Sequence, residues 1–235
     1  MEKIRFFEID FFRGLAVIMM IIYHFIFDLN YFEFIKVNMY SGFLGIFQKV
    51  IAISFIFLVG ISLSISYKNK SKKDITKSGL KIFSFGLILT VLTLIFVRNQ
   101  VIYFGILHFI GLSIIISILF IRFFKLNLIL GIISIIIGYL IKNISINTNL
   151  LIFLGLKSRN FSTLDYFPLF PWFGLILIGI FIGKLIYKNR TKSVINEPKI
   201  KLFKFLEFLG RKSLFIYLIH QPILILILYL IRIIK

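Results

Sequence analysis

The stretch IDFFRGLAVIMMIIYHFIFD, residues 9–28, is long enough to cross a bilayer and yet carries Asp10, Arg13, His24 and Asp28. A hydrocarbon core about 30 Å thick needs about 20 apolar residues of helix, and ionisable side chains within it are costly unless they serve a site. Successive helix residues turn by about 100°. With Arg13 as reference, Asp10 and Asp28 lie at about 60° and His24 at about 20°, so all four share one narrow face. Gly14 lies beside that stripe, where a small residue lets another backbone or a ligand approach. Eleven residues separate Arg13 from His24, about 16 Å of rise. His24 and Asp28 are one turn apart and are expected to be neighbours. A carboxylate beside an imidazole orients it and stabilises its protonated form, as general-base catalysis requires.

The rest of the chain reads in the same way. Hydrophobic residues make up 60 % of the 235 and the mean hydropathy is +1.02, above the range of soluble domains. Seven segments are long enough to span: 11–29, 43–66, 79–97, 101–122, 126–142, 168–187 and 211–233. They do not alternate polar and apolar residues as barrel strands do, and helices satisfy their own backbone in lipid. The expectation is an all-α polytopic membrane protein with about seven transmembrane helices, forming a single domain over 1–235. The first run holds ionisable residues and lacks a small-residue cleavage site, so it does not read as a signal peptide. The absence of cysteine removes disulfides, thiolate zinc sites and a cysteine nucleophile.

Charge sets the expected orientation. With the N-terminus in the cytoplasm, the inner connectors are 1–13, 67–81, 122–125 and 184–212, and they hold 20 of the 28 Lys and Arg residues. That is the positive-inside pattern. The net charge of +19 is therefore read as topology and attraction to anionic headgroups; no nucleic-acid partner is expected. The outer connector 143–167 is rich in Asn and Ser and includes the apolar piece LLIFLGL, residues 150–156. That piece would lie at the interface or re-enter the membrane.

Three further stretches carry polar marks. In VIYFGILHFIGLS, residues 101–113, His108 lies near the expected depth of His24. In LDYFPLFPWFG, residues 164–174, Asp165 precedes Pro168 and Pro171, and the only tryptophan, Trp172, follows. Asp before such prolines suits a cap of the sixth span, and Trp is a common interfacial anchor. In GRKSLFIYLIHQP, residues 210–222, Ser213, Tyr217 and His220 share one helix face. His220 reads as deeper than His24 and His108, and no H-x₃-H pair exists. Zinc wants three or four convergent ligands, so no metal is expected.

RFFEIDFFRGLAVIMMIIYHFIFDL (5–29), YFGILHFIGL (103–112), DYFPLFPWFG (165–174) and GRKSLFIYLIHQPIL (210–224) together resemble microbial proteins with a heparan-α-glucosaminide N-acetyltransferase catalytic domain. That group is part of a transmembrane acyltransferase superfamily. The resemblance covers nearly the whole chain. It implies transfer of an acetyl group from cytosolic acetyl-CoA to an amino sugar, or another small acceptor, across the membrane. On that basis Arg13 and Asp10, with Ser213, Tyr217 and His220, are expected on the donor side, with Arg13 meeting CoA phosphates. The rise from Arg13 to His24 is about that of an extended pantetheine arm. His24 and Asp28 are expected to be catalytic, with His108 the next base or oxyanion donor, and Asp165 and Trp172 to face the acceptor. The chain departs from the animal lysosomal enzyme, which has an asparagine on the first helix and a histidine in the following loop; here the helix carries His24 and loop 30–42 has no histidine. The chemistry expected is direct attack on a thioester, with a base for the nucleophile's proton and a donor for the oxyanion. Such a protein would sit in the cell membrane as a multi-pass enzyme, with a homo-oligomer left open. The rival from another class is a proton-coupled transporter, in which His24 and Asp28 would be a proton relay.

Overall fold

A computed structural model describes residues 5–190, 192–195 and 200–234. Residues 1–4, 191 and 196–199 of the expected inner connectors lie outside the described residues. The helices are α1 (Phe7–Tyr31), α2 (Gly42–Asn69), α3 (Lys72–Phe96), α4 (Ile106–Phe120), α5 (Lys125–Ile141), α6 (Leu169–Tyr187), α7 (Lys201–Arg211) and α8 (Ser213–Ile234). Among the described residues there is no strand, only the isolated bridges Phe104–Tyr166 and Ser145–Lys157. The protein is an all-α polytopic membrane protein.

Every expected span contains a helix, but among the described residues five rather than seven are long and apolar enough to cross a membrane: α1, α2, α3, α6 and α8. The fourth expected span is cut short because residues 98–105 form a 3₁₀ turn and extended chain, leaving α4 with 15 residues; α5 has 17. At 1.5 Å per residue these reach about 22 and 25 Å. α3 begins seven residues before the expected start. Ser71 caps it, its Oγ accepting from the Asp74 N–H at 3.2 Å and donating to the Asp74 carboxylate at 2.6 Å. This reciprocal cap turns the lysine-rich connector into helix. On its far side α3 exposes Leu80, Leu87, Val91 and Leu94, a continuous apolar face suited to lipid.

The chain forms two compact units, divided between Phe55 and Ile56 inside α2 and between Asn189 and Arg190. The first holds α1, the start of α2, α7 and α8. Its core is Met20, Tyr23, Met39 and Ile51, with Phe47, Phe55 and Tyr217 packed against them. The second holds the rest of α2 with α3–α6. There Lys68 donates to the carbonyls of Tyr187 and Lys188 at the end of α6, where a cation meets the negative end of a helix.

α7 was not expected, because residues 201–211 read as basic connector. Its sequence KLFKFLEFLGR is amphipathic, and Leu206, Glu207 and Gly210 turn inward. It packs on α1 at Gly14 and Gly210. A Cβ on Gly14 would strike the Leu206 backbone, and one on Gly210 the Asp10 backbone. Only hydrogen fits at that crossing.

Candidate functional site

The glycine crossing sets a register. From Gly14 to His24 is ten residues of α1, about 15 Å of helix rise, and from Gly210 to His220 is also ten residues, across the turn at Lys212. The two histidines, ten residues beyond this crossing on either segment, meet with ring centroids 4.9 Å apart at 62°. The expected placement of His220 deeper than His24 is corrected by this contact.

At the near end of this seam three guanidiniums surround one buried carboxylate. Asp10 is 2.8 Å from Arg13, 3.7 Å from Arg5 and 3.8 Å from Arg211. Arg211 also pairs with Glu207. The side chains of Arg5 and Arg211 are about half exposed, at 48 % and 45 %, whereas that of Arg13 is 22 % exposed. Arg13 was expected; Arg5 and Arg211 were not singled out, although both lie inside the quoted stretches 5–29 and 210–224. The signal that would have found them is the glycine pair, which brings residue 211 beside residue 10.

At the far end the expected His24–Asp28 hydrogen bond is not made. Asp28, only 2 % exposed, turns towards α8 and its Oδ1 accepts from Gln221 Nε2 at 2.6 Å. His24 is half-buried, and among the described residues its ring makes aromatic contacts with Tyr23 and His220. His220 is 7 % exposed, with Nδ1 2.7 Å from the Tyr217 carbonyl. A carbonyl only accepts, so Nδ1 carries the proton and Nε2 of the neutral ring is left with a lone pair. Among the described residues His220 Nε2, Asp28 Oδ2 and Gln221 Oε1 are buried and lack hydrogen-bond partners. Ser213 opens α8 on the same helix.

In the second unit, His108, Asp165 and Thr90 are brought together at the start of α4. The Gly105 N–H donates to His108 Nδ1 at 3.3 Å, so the ring proton is on Nε2, 3.2 Å from Thr90 Oγ1. That hydroxyl donates to the Ile102 carbonyl at 2.6 Å. Both ring nitrogens are thus engaged, and the ring lies against Phe83 and Phe104. Gly86 makes the space: a Cβ there would be 2.9 Å from His108 Cγ and Nδ1. Asp165 caps α4 rather than α6, correcting the expected cap, its Oδ2 accepting from the Ile106 N–H at 2.8 Å. The Phe104–Tyr166 bridge, with Phe167 N–H on the Phe104 carbonyl at 3.0 Å, carries it there. Pro168 occupies the N-cap position of α6 and makes no side-chain cap hydrogen bond. Burial pushes the Asp165 carboxyl up to about 6, against the pull of the N–H groups of Ile106 and Tyr166. Trp172 is half-buried against Phe167, with centroids 4.9 Å apart. Connector 143–167 and Tyr103 also bound a hollow of about 300 Å³ lined by Tyr103, Asn149, Ile152, Asn160, Phe161 and Ser162, which no motif announced.

Residues 5–222 match the family model described as heparan-alpha-glucosaminide N-acetyltransferase, catalytic. No curated protein and no solved structure matches the chain. The match spans α1 through the middle of α8, and so includes both the arginine cluster and the paired histidines. The chain belongs to the family of the heparan-α-glucosaminide N-acetyltransferase catalytic domain.

Proposed function

We propose that this protein is a cell-membrane acetyltransferase that moves an acetyl group from cytosolic acetyl-CoA to an amino or hydroxyl group of a sugar or other small acceptor on the extracytoplasmic side. The observation that carries this reading is the polar seam of α1 with α7 and α8. It has guanidiniums at one end and paired imidazoles about 15 Å further along. Arg13, with the more exposed Arg5 and Arg211, binds the phosphates of the donor, and a guanidinium fork suits that task better than an ammonium. The extended arm of the donor then lies along the seam and presents its thioester to His24 and His220. These two supply the acid–base chemistry: a base takes the acceptor's proton, and a donor steadies the oxyanion as the carbon–sulfur bond breaks. Asp28 fixes the α8 side through Gln221. His108 and Asp165 hold the start of α4.

The test uses the purified full chain in sealed proteoliposomes with labelled acetyl-CoA on one side. Labelled acetyl should appear on an acceptor supplied from the other side, and only when the donor faces the Arg13 end. Passage of an unmodified acceptor with no acetylated product would favour the transporter reading.

A further inference from the structure

The face of α7 turned away from α1 is apolar where a soluble helix would be polar. With Phe205 as reference, Leu202, Phe208 and Leu209 lie within about 60° of it, and Lys204 stands at one edge of that arc, at about −100°. Leu202, Phe205 and Phe208 are 61 %, 52 % and 55 % exposed, whereas Leu206, Glu207 and Gly210, on the other side, are buried. Glu207 is the one acid among residues 200–212, and it is paired with Arg211. The exposed charges around the apolar arc are therefore the ammoniums of Lys201, Lys204 and Lys212. The packing fixes where this face stands. Phe203 meets Phe11 in the second turn of α1, with centroids 5.3 Å apart. Ahead of α7, Ser193 Oγ accepts from the Phe7 N–H at 2.7 Å and Glu8 Oε1 from the Val194 N–H at 2.9 Å. Behind it, α8 begins at Ser213, directly after the C-cap Lys212. α1 and α8 are both long and apolar enough to span, so α7 is tied to the ends of two spans, at the boundary of the bilayer.

We propose that α7 is an interfacial helix whose outer face docks on an anionic phospholipid layer, with Leu202, Phe205 and Phe208 in the acyl boundary and Lys201 and Lys204 on lipid phosphates. Phenylalanine and leucine on one face with lysine beside them is the composition of helices that lie in the plane of a membrane. Lys201 falls inside the apolar arc, but it is the first residue of the helix, and its long stem lets the ammonium reach outward to the headgroups. The lipid is adjacent already, because α1 and α8 cross it. Charge selects which lipid: exposed lysines with no exposed acid among them favour an anionic headgroup over a zwitterionic one. The docking has a consequence inside the protein. The inward face of the same helix makes the Gly14–Gly210 crossing and carries Arg211 to Asp10. A lipid layer that holds the outer face of α7 therefore also holds that crossing together, whatever reaction the protein catalyses.

The experiment uses the purified full chain in lipid nanodiscs of phosphatidylcholine, or of an equal mixture of phosphatidylcholine and phosphatidylglycerol. The anionic lipid should raise the melting temperature of wild type by about 2–4 °C for each lysine that meets a phosphate. The double variant Lys201→Gln, Lys204→Gln should lose most of that rise. Lys72→Gln, Lys73→Gln, an equal loss of exposed charge at the start of α3, should keep most of it. Inorganic phosphate added to phosphatidylcholine nanodiscs should not stand in for the anionic lipid. A second measurement reads the docking directly and does not need the lysine variants to fold. The chain has no cysteine, so Phe205→Cys offers a single site for a polarity-sensitive fluorophore. Its emission should be quenched by lipid spin-labelled high on the acyl chain more strongly than by a water-soluble quencher. The proposal is overturned by a full temperature rise in the Lys201, Lys204 variant, by an equal loss in both double variants, or by inorganic phosphate acting as well as the lipid. It is also overturned if the label answers mainly to the water-soluble quencher, or if it answers to dilution of the protein and not to the lipid quencher, which would give this face to a second copy of the chain.

Discussion

At the scale of single residues, four side chains on one turn-matched face of α1 carry different duties. Asp10 is a hub for three guanidiniums, and this explains how a carboxylate can be buried at 7 % exposure: a buried charge persists when it is paired. If that cluster receives donor phosphates, Arg13→Ala should weaken acetyl-CoA binding by about 10- to 100-fold, the worth of one or two charge-assisted hydrogen bonds. Arg211→Ala should do the same to a smaller degree. A calorimetric titration reads this directly, and unchanged affinity would leave Arg13 as the partner of Asp10 and nothing more. Among the described residues His24 is the histidine of the pair without a hydrogen bond to orient it. His24→Ala should lower the single-turnover rate by about 10²–10⁴-fold while acetyl-CoA still binds; a near-normal rate would remove it from the chemistry.

At the scale of elements, two helix junctions decide where these side chains stand. The first is the α1–α7 crossing. Gly210→Leu would place a branched side chain where a Cβ already collides with the Asp10 backbone, and overpacking of this kind costs about 1–3 kcal/mol. The variant should melt at lower temperature in detergent. Activity should also fall more than the loss of folded protein explains, because a shift in this crossing moves His220 away from His24. The second junction is the start of α4, which exposes unsatisfied N–H groups like any helix N-terminus. Asp165 satisfies one of them, so Asp165→Ala should cost about 1 kcal/mol, as for other cap losses. The fold raises the Asp165 pKa from 3.8 to about 6, so it favours the protonated carboxyl. Its contribution is complete below about pH 4 and is lost as pH rises through about 6. Asp165→Asn keeps an acceptor for the Ile106 N–H and should flatten that part of the stability profile. Thermal melts of wild type and Asp165→Asn between pH 4 and pH 8 would show the difference.

At the scale of the whole molecule, the basic connectors predict an N-terminus in the cytoplasm. Reporter fusions at Lys73 and Arg190 should both read as cytoplasmic. The shortness of α4 and α5 does not alter this expectation: they are consecutive, so the helices on either side keep their directions whether the pair crosses fully or dips in and returns. An exterior signal at either fusion would reverse the donor and acceptor ends of the seam. The class of the fold was legible in the chain because hydropathy over about 20 residues is a one-dimensional property. The helical face shared by Asp10, Arg13, His24 and Asp28 was legible because it depends only on the 3.6-residue turn. The α7 helix was hidden by its lysines, which read as connector until its inward face found α1. The partners of the polar residues were also hidden, since they depend on packing between segments about 200 residues apart. Sequence alone placed His24 beside Asp28, one turn away. Tertiary structure gave Asp28 to Gln221 and His24 to His220, because the Gly14–Gly210 contact allows one register between α1 and the α7–α8 segment, and that register brings residues ten further along each chain to the same height.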